Sequence, residues 1–443
     1  MKPLLILSGR IIDPSQGIDI VGDLLITEGR VAHIGRISPP DAPCSVIHAE
    51  GMVVSSGFID LHCHLREPGF EEKETIVTGT RAAARGGFTT ICCMPNTEPP
   101  IDTKATVEFI IRKAASEGAV RVLPVGCITK GRKGDELVDI NELAEAGVVA
   151  LSDDGNPVSN AQVMRQALEY SRHFNLFLSD HCEDTSLSAR GVMNEGLVSA
   201  KLGLKGIPAA AEEVMVARDI KLAEATGARV HIAHASTAGS VDLIRRGKEK
   251  GIAVTAEVTP HHLTMTEERV MGYDTNAKMY PPLRTEADVE ALVTGLNDGV
   301  IDAIATDHAP HTDADKLCDF NMAAFGISVL ETALGSLFTL VHSGKIDLAT
   351  LISKLTSKPA NILQNSELGT LTVGACADVT IFDPQAEWVV DTTDFASRGK
   401  NTPLAGKRLR GKVMATIYRG GVVYKDDSMK IEPVHHQAGA RIE

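Results

Sequence analysis

Residues 53–66, VVSSGFIDLHCHLR, run from a short apolar stretch straight into two histidines and an arginine. Seven further stretches repeat that plan: TTICCMP (89–95), RVLPVGCI (121–128), GVVALSD (147–153), LFLSD (176–180), RVHIAH (229–234), AVTAEVT (253–259) and DAIATD (302–307). Short, apolar and rich in Val and Ile, they read as strands buried on both faces of a parallel sheet. Between them lie helical stretches such as TKATVEFIIRKAAS, in which Val107, Ile110, Ile111 and Ala114 share one face. Eight strand–helix units in about 250 residues predict an α/β fold of the (β/α)8, TIM-barrel type.

Outside that region the pattern changes. Residues 1–55, with LLILSGRIID and GDLLITEGRVAHIG, and residues from about 370, with ADVTIFDP and KVMATIYRGGVVY, alternate β-branched residues with turn signals. They predict one small β-sandwich built from both termini, so that residues 1–55 and 370–443 form one domain and residues 56–369 the barrel.

Barrel enzymes carry their chemistry at the C-terminal ends of the strands. Here those ends read LHCHLR, MPNT, SDDG, DHCED, AHAS, TPHH and TDHAPH, and nine of the fifteen histidines fall within or just after the strands. His62 and His64 are two apart on a strand end, so both side chains project from one face and can reach one cation. His181, His234, Asp154 and Asp307 from other strand ends bring the set to four imidazoles and two carboxylates. Nitrogen and carboxylate ligands without thiolate favour zinc, with manganese, iron and cobalt as competitors. Strand alternation turns Cys63 and Cys182 away from the mouth. His231, His261 and His262 read as supporting residues, and His173, His342, His435 and His436 as surface or tail positions.

The composition narrows the function classes. With 43% hydrophobic and 23% charged residues the chain can bury a large core, which excludes disorder as its main state. A net charge of -14 opposes nucleic-acid binding, and the nearest basic run, GKRLRGK at 406–412, reads as a solvated loop or strand edge. No signal peptide or membrane-spanning run is expected, and eight scattered cysteines suit a reducing cytoplasm.

Two longer stretches carry a family resemblance. GFIDLHCHLREPGFEEKETIVTGTRAAARGGFTTICCMPNTEPP (57–100) resembles the signature of class I dihydroorotases, within the cyclic amidohydrolase superfamily, and ATDHAPHTDADK (305–316) resembles their second signature. The resemblance spans essentially the whole chain. It implies reversible cyclisation of N-carbamoyl-L-aspartate to L-dihydroorotate in pyrimidine biosynthesis, with one or two zinc ions. His62 and His64 then resemble the ligands of a first zinc, and His181 and His234 those of a second. Asp154 stands where many relatives use a carboxylated lysine, and Lys130 in CITKG reads as a loop residue. In the hydrolytic direction zinc-activated hydroxide attacks the ring amide, with Asp307 as both metal ligand and general base then acid. Arg66, Asn96, Asn276 and His311 form the substrate-binding set, Arg66 as the bidentate partner of a carboxylate. A homodimer and an association with aspartate transcarbamoylase are family-level expectations.

Two positions depart from the family pattern: Tyr280 in NAKMYPPLR, where many relatives carry asparagine, and Ala324 in NMAAFG, where proline is common. An allantoinase or hydantoinase would share the barrel, but usually places a lysine where this chain has SDDG. A dihydroorotase-like scaffold subunit would lack part of the His/Asp set, all of which is present here. Residues 310–325 read as a loop over the barrel mouth, with partial mobility expected in the absence of ligand.

Overall fold

The structure is a computed structural model and describes residues 2–37 and 43–434. His435 and His436 lie outside the described residues.

Eight parallel strands form the central sheet: Phe58–Cys63, Phe88–Cys93, Arg121–Gly126, Ala150–Leu151, Phe177–Asp180, Val230–Ile232, Val254–Val258 and Ala303–Ile304, each paired with the next. Just beyond the eighth strand the chain returns to the first. The Asp307 amide donates to the His62 carbonyl (2.9 Å), and the His64 amide to the His308 carbonyl (2.8 Å). Asp60 tightens this closure by accepting from the amide and hydroxyl of Thr306 at 2.8 and 2.5 Å. Helices such as Lys104–Glu117 cover the outside, burying Val107, Ile110 and Ala114. On the first strand Ile59, Leu61 and Cys63 enter apolar clusters, which leaves the alternate residues Asp60, His62 and His64 to the other face.

The first predicted strand, VVSSGFID, is in fact two. Val53–Ser56 joins the second sheet, where it pairs with Leu4–Asp13 and Val379–Val389; Phe58–Cys63 begins the barrel. Gly57 is the break. Its amide donates to the Asp378 carbonyl at 2.8 Å, and a Cβ there would land on the Thr89 side chain.

The second sheet has nine strands drawn from both ends of the chain, in the order Gly421–Lys425, Arg408–Tyr418, Val379–Val389, Val53–Ser56, Leu4–Asp13, Ile18–Thr27 and Arg30–Gly35, with Cys44–His48 and Ile431–Val434 branching from it. Its apolar core includes Leu4, Ile11, Leu24, Val379, Ile381 and Ile417. The run GKRLRGK opens the Arg408–Tyr418 strand, with Arg408 facing Glu387 at 3.1 Å and Lys412 facing Asp426 at 2.5 Å.

The loop after the eighth strand carries a short helix, Asp313–Lys316. Two buried lysines fasten it. Lys278 Nζ donates to the carbonyls of Phe320 (2.7 Å) and Asn321 (3.0 Å), and Lys316 Nζ to that of Ala324 (2.7 Å).

Candidate metal centre and substrate cavity

His62 is buried beneath the barrel mouth, and its Nδ1 lies 2.9 Å from Glu257 Oε1 on the seventh strand. That carboxylate can only accept, so Nδ1 carries the proton and the Nε2 lone pair faces inward. His64 is held from both sides, its Nδ1 2.8 Å from Asn96 Oδ1 and its Nε2 3.0 Å from Asp307 Oδ1. The other oxygen of Glu257 stands 3.1 Å from His231 Nε2.

Of the two acids in SDDG, the first is occupied elsewhere. Asp153 accepts from the amides of Ile128 and Thr129 at 2.8 and 3.1 Å and holds that loop. Asp154 is left to the centre, with Oδ1 at 3.3 Å from His62 Nε2 and 3.5 Å from His234 Nε2. His181 Nδ1 lies 3.0 Å from His234 Nε2 and 3.8 Å from Asp154 Oδ1, while its Nε2 faces Glu183 at 3.5 Å. His234 and Asp307 both adopt left-handed backbone, with φ of 33° and 45°. Residues without glycine's freedom hold that conformation only where their surroundings impose it.

Five of the six predicted ligands fall into two overlapping clusters, and His181 stands beside them. His62, His64 and Asp307 each bring one ligand atom within 4.8 Å of the others, and so do His62, Asp154 and His234. His62 Nε2 and Asp154 Oδ1 are buried without a hydrogen-bond partner, a costly state for polar atoms unless something else neutralises them. Burial works against charge on Asp154, yet His62, His234 and His64 hold its carboxyl well below the usual range. Lone pairs gathered in a buried, carboxylate-rich pocket suit a divalent metal ion. A third cluster, Asp180, Cys182 and Asp219, is already neutralised by Arg218, which lies 3.3 Å from Asp180 and 2.7 Å from Asp219.

Above the centre opens a cavity of about 170 Å³. His64, Asp154, His181, His234 and Asp307 line its floor side, and Arg66, Asn96 and His311 its wall. Arg66 is not paired with Glu67 or Glu74: Glu67 binds Lys113, and Glu74 faces His308 at 3.3 Å. Its guanidinium instead touches the Pro310 carbonyl (3.3 Å) and His311 Nε2 (3.4 Å), with no carboxylate partner among the described residues. Burial lowers its pKa to about 10, so it remains cationic near neutrality. Burial and the Arg66 charge depress His311 to about 3, keeping that imidazole neutral.

Asn276 does not line the cavity. It lies in the turn Thr275–Ala277, and its amide donates to Asp274 Oδ1 at 3.0 Å. Tyr280, four residues on, is in the wall, its ring 4.8 Å from those of both His181 and Phe325. Phe325, at the end of the loop expected over the mouth, and Gly326 complete that side. Glu257 and Glu183 also escaped the sequence reading, although Glu183 sits in DHCED directly after a strand. Lys130 is an exposed loop residue paired with Glu136, and His262 is a core residue between Thr259 and the Pro281 carbonyl.

Residues 51–240 match the dihydro-orotase-like family model and residues 201–424 the amidohydrolase family model. The dihydroorotase of Citrifermentans bemidjiense is 53% identical to this chain over 95% of it and 99% of its own length. That of a Thermoanaerobacter species is 54% identical over 96% and 98%. Among solved structures, the L-hydantoinase (dihydropyrimidinase) of Arthrobacter aurescens has a similar fold, with a TM-score of 0.86, 25% identity and 98% coverage of both chains.

Proposed function

The chain belongs to the dihydroorotase family of amidohydrolases, and we propose that its barrel mouth catalyses the reversible, zinc-dependent cyclisation of N-carbamoyl-L-aspartate to L-dihydroorotate. The observation that carries this reading is Arg66: a half-buried guanidinium with no carboxylate partner among the described residues, facing the same cavity as the converged His/Asp set. Such a cation is suited to an anionic substrate presented to a metal centre.

His62, His64, Asp154, His181, His234 and Asp307 would hold one or two zinc ions, which supply a Lewis acid and lower the pKa of water to about 7. The protein's own groups do the rest. Arg66 pairs with the substrate carboxylate, and His311 borders the same anion. Asn96 has its oxygen engaged by His64, so its Nδ2 is free to donate to the substrate. Asp307 takes the proton of the attacking water and delivers it to the departing ring nitrogen; in the synthetic direction the same transfers run backwards.

On this reading residues 56–369 carry the chemistry, and residues 1–55 with 370–443 brace it. We place the protein in a reducing cytoplasm, a setting supported by eight unpaired cysteines; no helix among the described residues is long and apolar enough to cross a membrane. Homodimer formation and binding of aspartate transcarbamoylase are part of the proposal and are tested by the mass in solution with and without that enzyme.

The deciding experiment follows dihydroorotate hydrolysis by ultraviolet absorbance, with bound zinc quantified before and after chelation. Turnover that vanishes with the metal and returns with zinc is expected. Preferential turnover of allantoin or dihydrouracil would overturn the substrate assignment.

A further inference from the structure

We propose that Asn401, which comes from the C-terminal segment outside the barrel, is a positioning residue for the substrate wall and acts through His311 and Gly326. The inference rests on reading His311 as a neighbour of the substrate. Asn401 is buried, at 6% exposure. Its Oδ1 accepts from the His311 amide (2.9 Å) and the Ser328 hydroxyl (3.2 Å), and its Nδ2 donates to the Gly326 carbonyl (3.0 Å). Its own carbonyl accepts from the Ser328 amide at 2.7 Å.

One side-chain amide thus joins the two strands of loop that form this wall, the outgoing residue His311 and the returning residue Gly326. Both lie in irregular backbone just beyond a single bridge between His308 and Ile327, and the other tie at their level is His311 Nε2 against the Phe325 carbonyl at 2.7 Å. The polarity of the amide is matched to the site, since its acceptor meets N–H and O–H groups and its donor meets a carbonyl. Gly399 brings the segment close enough, because a Cβ there would sit 2.5 Å from Pro310 Cβ and 2.8 Å from the His311 nitrogen. A binding group must be held within about 0.5 Å of its working position, and Asn401 supplies that restraint from outside the barrel.

The test compares Asn401→Ala and Asn401→Asp with Thr416→Val in the full-length enzyme. Thr416 donates a buried hydroxyl to the Ala84 carbonyl at 2.6 Å, at the same junction but away from the mouth. KM for dihydroorotate should rise roughly tenfold or more in both Asn401 variants, with kcat within about threefold and zinc content as in the wild type; Thr416→Val should lower the melting temperature and leave KM alone. An unchanged KM in the Asn401 variants, or an equal rise in Thr416→Val, overturns the proposal. Hydrogen exchange on the wild-type protein gives a reading independent of substrate and of the variants' folding. A slowly exchanging His311 amide is expected, and rapid exchange there overturns the proposal even if dihydroorotate proves to be the wrong substrate.

Discussion

The carboxylate of Glu257 accepts a hydrogen bond from His62 Nδ1 at 2.9 Å. A neutral imidazole has one protonated nitrogen and one lone pair, so this contact decides which of them faces the centre. Glu257→Gln should weaken zinc binding about 10- to 100-fold, the range found when such outer partners are removed. Competition with a chelator of known affinity measures this directly, and wild-type affinity in the variant would refute it.

Arg66 should separate metal binding from substrate binding. Arg66→Met leaves the His/Asp set intact and removes a charged hydrogen-bonding group that contributes about 1.5–3 kcal/mol, so kcat/KM should fall roughly 10- to 150-fold. Bound zinc should stay at the wild-type level. Loss of metal in this variant would mean that the residue supports the centre instead.

Tyr280 tests whether a ring or a hydroxyl is needed at the wall. Tyr280→Phe keeps the stacking on His181 and Phe325 and should hold kcat/KM within about threefold. Tyr280→Ala loses both aromatic contacts, each worth about 0.5–1.5 kcal/mol, and should lower both the melting temperature and kcat/KM. A large defect in the Phe variant would assign the role to the phenol.

Lys316 gives the pH dependence a definite sign. Burial and the nearby Lys278 charge bring its pKa down from 10.5 to about 7. Between those values the unfolded chain binds a proton that the folded chain does not, so stability rises with pH across the window. Below about pH 7 the buried charge is a constant cost. The stability difference between wild type and Lys316→Met should therefore shift in favour of the wild type from pH 7 towards 10, as measured by denaturant unfolding, and a pH-independent difference would exclude the effect.

The barrel and the converging His/Asp set were legible for local reasons. Each strand is a short apolar run, and His62 and His64 follow the two-residue period that puts them on one face. What escaped depended on partners distant in sequence. Nothing within VVSSGFID marks Gly57 as the point where one sheet hands over to another, because that break is set by Thr89 and Asp378. Glu257 lies within AVTAEVT, where it looks like a misplaced charge until His62 and His231 are seen on either side of it. Asn276 and Tyr280 are close in sequence, and the turn between them, rather than residue type, decides which one reaches the cavity.

The pairing of Val53–Ser56 with Val379–Val389 has a consequence for synthesis on the ribosome. The first barrel strand continues directly from a strand whose partner is made near the end of translation. At about 5–20 residues per second, the nascent barrel waits on the order of tens of seconds with one side of Val53–Ser56 uncovered. An exposed strand edge is a template for wrong pairing. The N-terminal hairpin of Leu4–Asp13 and Ile18–Thr27, already available to cover the other side of Val53–Ser56, is thus placed to act as an internal chaperone for the strand that leads to His62 and His64.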